Sequence, residues 1–130
     1  MNYKGIIIEE SLSSTGVLKD IKILSTEIEQ VTEDHKTPWV KQWTMHTVEI
    51  PEENIDAITQ KLSTNIDTTH NAWYADFKNE SFHYIIFPSK VFIVDLKNPI
   101  VYKDAKVYGV SLGIPEHQVD FAPEDDVWKR

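Results

Sequence analysis

Residues 70–96 read HNAWYADFKNESFHYIIFPSKVFIVDL, and this stretch predicts three short β-strands joined by two tight turns. The first turn lies at residues 78–81 (KNES). The second lies at residues 87–90 (FPSK), where Pro88 takes the second position of a type I turn. Because side chains alternate between the two faces of a strand, the turns fix which residues pair and which residues share a face.

The first turn predicts a register that brings an acid and an imidazole together. With a loop of two or four residues, Asp76 lies directly opposite His83. A loop of three residues would place Asp76 opposite Tyr84 instead. The first register is favoured because it gathers the large apolar side chains on one face. Its pairs are Trp73–Ile86, Ala75–Tyr84, Asp76–His83 and Phe77–Phe82.

The second turn predicts that the middle strand of the three is interior. This strand is apolar on both faces, which is typical of a strand covered on both sides. Its predicted partners in the third strand give the pairs His83–Val94, Tyr84–Ile93 and Ile86–Val91. The side chains that share a face with Asp76 and His83 are then Tyr74, Ile85, Phe92 and Val94.

Three further strands precede this stretch. They are predicted at residues 3–9, at residues 21–32, where the mixed spacing of apolar residues indicates a strand with room for a bulge, and at residues 40–50.

Two helices are predicted by proline at a helix start and by apolar stripes at helical spacing. Pro51 opens the first, whose stripe is Ile55, Ile58, Leu62 and Ile66, followed by an exit loop at residues 63–69. In the second, Asn98 is the predicted N-cap and Pro99 the first helical residue. Gly113 supplies the left-handed position after its end, and its stripe is Val101, Ala105, Tyr108 and Leu112.

The resulting order, β-β-β-α-β-β-β-α, predicts the α+β class. We expect a single domain over residues 1–130, built on a bent antiparallel sheet of about six strands with two helices packed on it. Residues 114–130 are interrupted by proline and are acidic, and they are interpreted as a C-terminal extension of that domain.

Composition excludes several classes of function. The formal net charge of −8 argues against a nucleic-acid partner. The chain has no cysteine, and its five histidines lack metal-ligand spacing, so no metal or cofactor is predicted. A metal site would be predicted only if His83, Asp76 and His46 lay together in the folded protein. No apolar run is long enough for a membrane span or a signal peptide, and a soluble, cytoplasmic protein is expected by default.

Three segments carry a resemblance to a group of proteins. Residues 73–77 (WYADF), 83–87 (HYIIF) and 108–121 (YGVSLGIPEHQVDF) resemble segments of small uncharacterised bacterial proteins of about the same length. No activity is known for that group, so the resemblance implies only a free-standing domain and carries over no functional residue.

The candidate site follows from the predicted hairpins. Asp76 and His83 are the candidate acid–base pair, and Tyr74 and Phe92 would add an aromatic wall suited to a small planar ligand. The alternative is a cross-strand polar pair with a structural role and no catalytic role.

Three functional hypotheses stay open. The first is a non-enzymatic module that binds another protein, a second copy of itself, or a small ligand in a cleft beside residues 73–94. The second is a small enzyme that uses Asp76 and His83 for proton transfer. The third is an acidic decoy for a nucleic-acid-binding partner, which predicts one carboxylate surface made of Glu9, Glu10, Glu27, Glu29 and Glu33.

Overall fold

In the computed structural model the chain forms one six-stranded antiparallel sheet with two α-helices. The structure describes residues 1–33, 39–67, 73–98, 100–114 and 116. The strands are β1 (Tyr3–Ile8), β2 (Lys22–Gln30), β3 (Gln42–Ile50), β4 (Ala75–Lys78), β5 (Phe82–Phe87) and β6 (Lys90–Asp95). The helices are α1 (Ile55–Asn65), between β3 and β4, and α2 (Val101–Ser111), after β6. Short 3₁₀ turns lie at Glu9–Ser11, Thr15–Asp20 and Glu52–Asn54. The predicted α+β class and the order of strands and helices are confirmed.

The strands lie in the order β2-β3-β1-β4-β5-β6, and every neighbouring pair is antiparallel. β1 therefore separates β3 from β4, which run in the same direction and are connected through α1. The edges of the sheet are β2 and β6.

The register predicted for the first hairpin is wrong by two residues. Asp76 pairs with Ile85, and His83 pairs with Lys78. The side chain of Asn79 explains the difference, since its Oδ1 accepts hydrogen bonds from the backbone N–H groups of Ser81 and Phe82, each at 2.8 Å. Asn79 thus belongs to the last cross-strand pair rather than to the loop. A shift of two residues keeps every side chain on its predicted face.

The register predicted for the second hairpin is confirmed. His83 pairs with Val94, Tyr84 with Ile93 and Ile86 with Val91. The type I turn is wrong, however, because Ser89 has a φ of 61°, whereas the third residue of a type I turn has a negative φ. A positive φ at this position is typical of a type II turn, which also accepts proline at the second position.

The two helices cover opposite faces of the sheet. The α1 face carries Val48, Phe77 and Tyr84, and α1 packs there. The α2 face carries Asp76, His83 and Ile85, and α2 packs there. This arrangement accounts for the burial of β5 from His83 to Phe87 on both faces, as its apolar sequence predicted. The predicted stripe of α1 is buried throughout: Ile55, Ile58, Leu62 and Ile66.

The starts of the helices differ from the prediction. Pro51 precedes a 3₁₀ turn, and α1 itself begins at Ile55 and continues to Asn65, into the predicted exit loop. Asn98 is not an N-cap, because α2 begins at Val101 and Ile100 is its cap residue. Pro99 lies outside the described residues. Gly113 adopts the predicted left-handed conformation, with a φ of 96°.

The buried side of α2 is also rotated from the predicted stripe. Tyr102, Ala105 and Gly109 are its buried residues, and Val101, Tyr108 and Leu112 are only partly buried. The predicted extension from residue 114 begins in the core, since Ile114 is buried against the α2 face. Apart from Glu116, the rest of it lies outside the described residues.

Tyr84 joins the sheet to α1. Its hydroxyl donates a hydrogen bond to Asp56 Oδ1 at 2.9 Å, and its ring meets that of Tyr3 edge to face at 5.2 Å. Burial, followed by the nearby carboxylate of Asp56, raises the pKa of Tyr84 well above its ordinary value. The protonated phenol is thus the form that the fold accommodates.

Tyr84→Phe is expected to make folding stability less sensitive to alkaline pH. Below the ordinary tyrosine pKa of about 10, Tyr84 is protonated in both the folded and the unfolded chain, so its contribution to stability is fully present. Above it the unfolded chain ionises first, and Tyr84 lowers the free energy of unfolding by up to about 1.4 kcal/mol per pH unit.

Urea unfolding of wild type and Tyr84→Phe, at a series of pH values on either side of 10, measures this effect. Groups that the substitution does not touch contribute equally to both curves, so the difference between the curves reports on Tyr84 together with its contact to Tyr3. Parallel curves would contradict the raised pKa.

Candidate functional site

Asp76, His83 and Tyr102 form a buried hydrogen-bonded chain between the sheet and α2. His83 Nε2 lies 2.7 Å from Asp76 Oδ2, and His83 Nδ1 lies 2.8 Å from the Tyr102 hydroxyl. His83 is 0% exposed and Asp76 4% exposed. The two predicted site residues are therefore brought together as diagonal neighbours on the α2 face, although they are not a direct cross-strand pair.

The chemistry of the three groups limits where their protons lie. An ionised aspartate only accepts hydrogen bonds, so toward such a carboxylate Nε2 is the donor. Nδ1 and the Tyr102 hydroxyl share the second hydrogen bond, and the protonation of the ring decides which of them donates. Each polar group of the chain is satisfied by the next, which is what a buried position requires.

This arrangement can hold an imidazole in one tautomer and one orientation. The carboxylate orients the ring, and the phenol occupies the nitrogen that a base would use toward a substrate. Tyr102 and the surrounding core separate the pair from solvent. In this conformation the three groups connect α2 to β4 and β5 rather than face a ligand.

The other two predicted ligand residues lie on the same face, next to Phe87. Tyr74 and Phe92 are both partly buried, and each ring centroid lies 5.9 Å from that of Phe87. Tyr108 of α2 completes the cluster, with its ring centroid 5.2 Å from that of Phe87 and 5.6 Å from that of Phe92. The predicted aromatic wall is thus present, but its rings pack against one another and against α2.

Sequence reasoning missed Tyr102. The predicted apolar stripe of α2 contained Val101, Ala105 and Tyr108. A helix with this side toward the sheet would have the Tyr102 side chain pointing away from it. Gly109 is the signal that could have corrected this, because a small residue in a helix permits close packing on the side it shares with Ala105 and Tyr102.

β2 is the second region of interest, and its position at the edge of the sheet was not predicted. All nine of its residues are exposed, and β3 is the one strand of the described residues that pairs with it. Its large apolar side chains are among the exposed residues. Ile23 and Leu24 are each 42% exposed, and Ile28 is 60% exposed.

A bulge interrupts β2, in agreement with the strand and bulge predicted from the spacing of its apolar residues. Ile23 pairs with Val48 and Ser25 pairs with Thr47, so Leu24 is the extra residue. The bulge shifts the alternation of side chains by one residue. Ile23 and Ile28 consequently lie on the same face, the α1 face, although they are an odd number of positions, five, apart.

His46 connects β2 to the start of the chain on the α1 face. Its Nδ1 lies 2.8 Å from the Thr26 hydroxyl, and its Nε2 lies 3.2 Å from Glu9 Oε1. Beside it, both the backbone N–H and the hydroxyl of Thr44 donate to the Glu10 carboxylate. The Glu10 carboxylate thus accepts from a backbone N–H of β3 beyond the end of β1.

Four of the five carboxylates of the acidic-decoy hypothesis divide between two faces. The carboxylates of Glu9 and Glu10 bind groups of β3 that belong to the α1 face. Glu27 and Glu29 pair with Met45 and Trp43, whose side chains belong to the opposite face by strand alternation. The hypothesis itself stays a prediction.

The described residues contain no group of three or more side chains that could hold a metal ion. His46 lies on the α1 face and His83 on the α2 face, so the cluster that would have joined them with Asp76 does not form. His35, His70 and His117 lie outside the described residues.

The tryptophans pack together beside β3. Trp73 is buried, with its ring centroid 6.1 Å from that of Trp39 and 5.6 Å from that of Trp43. Trp39 remains partly open to solvent, whereas Trp128 lies outside the described residues. Trp73 is thus a core residue.

Comparisons with known proteins identify no relative of this chain. No protein-family model, curated protein or solved structure matches the chain. The resemblance of residues 73–77, 83–87 and 108–121 to small bacterial proteins therefore stays a prediction. Within the described residues, neither α1 nor α2 has the length and apolar character needed to cross a membrane.

Proposed function

We propose that this protein is a protein-interaction module that binds an extended segment along the outer edge of β2. The observation that carries the proposal is the exposure of all nine residues of β2, including Ile23, Leu24 and Ile28. Proteins usually shield such an edge by shortening it, charging it or covering it, because it offers backbone hydrogen bonds to other strands. A long edge with exposed apolar side chains is what strand addition requires.

The two edges of the sheet differ in this respect. β6 is six residues long, packs against α2, and buries Val94. β2 is longer by three residues, and among the described strands it has β3 alone as a neighbour. The side chains of β2 also alternate between apolar and charged residues beyond the bulge, as in Glu27, Ile28 and Glu29. A bound strand could thus pair its backbone with β2 and its apolar side chains with Ile28.

A synthetic peptide tests the proposal. The probe has the sequence of residues 22–30 (KILSTEIEQ), which is itself a strand in this fold. When it is titrated into ¹⁵N-labelled protein, we expect amide shift changes concentrated in β2 and slower hydrogen exchange of its outward N–H groups.

The matched control is the same peptide with proline in place of Thr26. Proline removes a backbone donor in the middle of the strand and should abolish the shifts. If the unmodified peptide leaves the β2 amides of the monomeric protein unchanged, β2 is not a binding edge.

A small enzyme using the Asp76–His83 pair is the second candidate function, and the observation in its favour is the hydrogen bond of 2.7 Å between them. A substrate could reach the imidazole only if α2 moved away with Tyr102. Carbethoxylation of His83 measures this access. A modification rate no faster than global unfolding would count against the enzyme.

A further inference from the structure

We infer that the strand bound by β2 is β2 of a second copy of this chain, which forms a twofold-symmetric dimer with one sheet continuous across both copies. The inference rests on the proposed function, and it names the partner of that same edge. It is supported by the way β2 complements itself in one antiparallel register.

The bulge at Leu24 creates this complementarity. In a twofold-symmetric antiparallel pair, opposite residues must lie on the same face of the sheet. Without the bulge, Ile23 and Ile28 would lie on opposite faces and could not oppose each other. With Leu24 as the extra residue, Ile23, Thr26 and Ile28 share the α1 face, and Lys22, Ser25, Glu27 and Glu29 share the other.

Pairing centred on Thr26 then matches the exposed side chains by type. Ile23 of each copy lies opposite Ile28 of the other, so that the two exposed isoleucines cover each other on both sides of the axis. On the other face, Lys22 lies opposite Glu29 of the second copy. Glu29 already has an interaction within its own chain, and Lys22 would add a second one.

Neighbouring registers are worse. Moving the centre to Glu27 places that carboxylate opposite its own symmetry copy, and moving it to Ile28 places Glu27 opposite Glu29. Moving the centre to Ser25 leaves Ile28 beyond the last paired residue and exposed. The Thr26 register alone among these satisfies both the apolar and the charged pairs.

Charge reversal tests the register directly. Sedimentation velocity over a range of concentrations should show a monomer–dimer equilibrium for wild type. Lys22→Glu and Glu29→Lys should each weaken association about tenfold or more, because each creates two like-charged pairs across the axis. An equimolar mixture of the two variants should regain wild-type association, since the two glutamates of one chain then oppose the two lysines of the other.

Two controls accompany the experiment. Val107→Lys changes an exposed apolar residue of α2, away from β2, and should leave association unchanged. Lys22 lies opposite Glu49 of its own chain, so far-UV circular dichroism confirms that Lys22→Glu is folded.

The outcomes separate the two proposals. A monomer at all concentrations, together with binding of the β2 peptide, would overturn the dimer and leave the interaction module standing. If neither charge reversal weakens association, or if Val107→Lys abolishes it, the interface lies elsewhere. Either result would also overturn the proposed dimer. Failure of the peptide to bind a monomeric protein would overturn the interaction module itself.

Discussion

Gly5→Ala is expected to lower the free energy of unfolding by about 3 kcal/mol or more, which is a large part of the stability of a domain of this size. Gly5 lies in β1 between Val48 of β3 and Phe77 of β4. A Cβ atom at this position would lie 1.9 Å from the backbone oxygen of Asp76 and 2.7 Å from Cδ1 of Phe77. A backbone oxygen cannot move aside as a flexible side chain can, so β1 and β4 would have to separate.

The separation would reach the candidate site. Asp76 belongs to the segment that must shift, and its carboxylate is hydrogen-bonded to buried His83. We therefore expect Gly5→Ala to disturb the environment of His83 as well as stability. Histidine ring signals in NMR spectra report this directly.

Gly16→Ala is the matched control. A Cβ at Gly16 would contact only the hydroxyl of Ser14 at 3.5 Å, an ordinary van der Waals distance. This substitution should change stability by less than about 1 kcal/mol, in either direction. Urea unfolding followed by tryptophan fluorescence compares the two variants with wild type. Equal stability of Gly5→Ala and Gly16→Ala would show that β1 and β4 are not packed as closely as described.

The hairpins show why faces are easier to predict than registers. The alternation of side chains has a period of two, so the apolar pattern alone assigned Asp76 and His83 to one face. The register depends on which residue closes the turn, and in the first hairpin that is settled by two hydrogen bonds to the side chain of Asn79. In the second hairpin, Pro88 limits the options, and the predicted pairs were correct.

The spatial order of the strands could not be predicted by local reasoning. The bulge in β2 was visible in the spacing of Ile21, Ile23, Leu24 and Ile28. Its position at the edge depends on β1 lying between β3 and β4, which is a pairing between residues distant in sequence. The two candidate regions therefore differ in whether the sequence predicts them. The Asp76–His83 pair arises within one hairpin and could be predicted, whereas the binding edge is a property of the whole sheet.

His83→Leu is expected to destabilise the protein by about 3 kcal/mol, because it removes the N–H group that the buried Asp76 carboxylate accepts. Asp76→Val should have a similar effect, because it removes the carboxylate to which the buried His83 ring is hydrogen-bonded. The double variant Asp76→Val/His83→Leu should regain part of the loss, since it replaces the carboxylate and the imidazole together by an apolar pair and keeps only the loss of the bond between His83 and Tyr102. The coupling energy from this cycle, measured by urea unfolding, reports the strength of the pair.

Tyr102→Phe extends the same test to α2. It removes the hydroxyl that is hydrogen-bonded to His83 Nδ1 and should cost about 1–3 kcal/mol, because this hydrogen bond lies in the buried core. Tyr108→Phe is its control in the same helix, since it keeps the ring that packs against Phe87 and Phe92. Two results together would show that the three groups do not act as one network. Tyr102→Phe and Tyr108→Phe would have equal and small effects, and the effects of His83→Leu and Asp76→Val would simply add. Non-additive losses confined to Asp76, His83 and Tyr102 would show that the chain of hydrogen bonds holds α2 against β4 and β5.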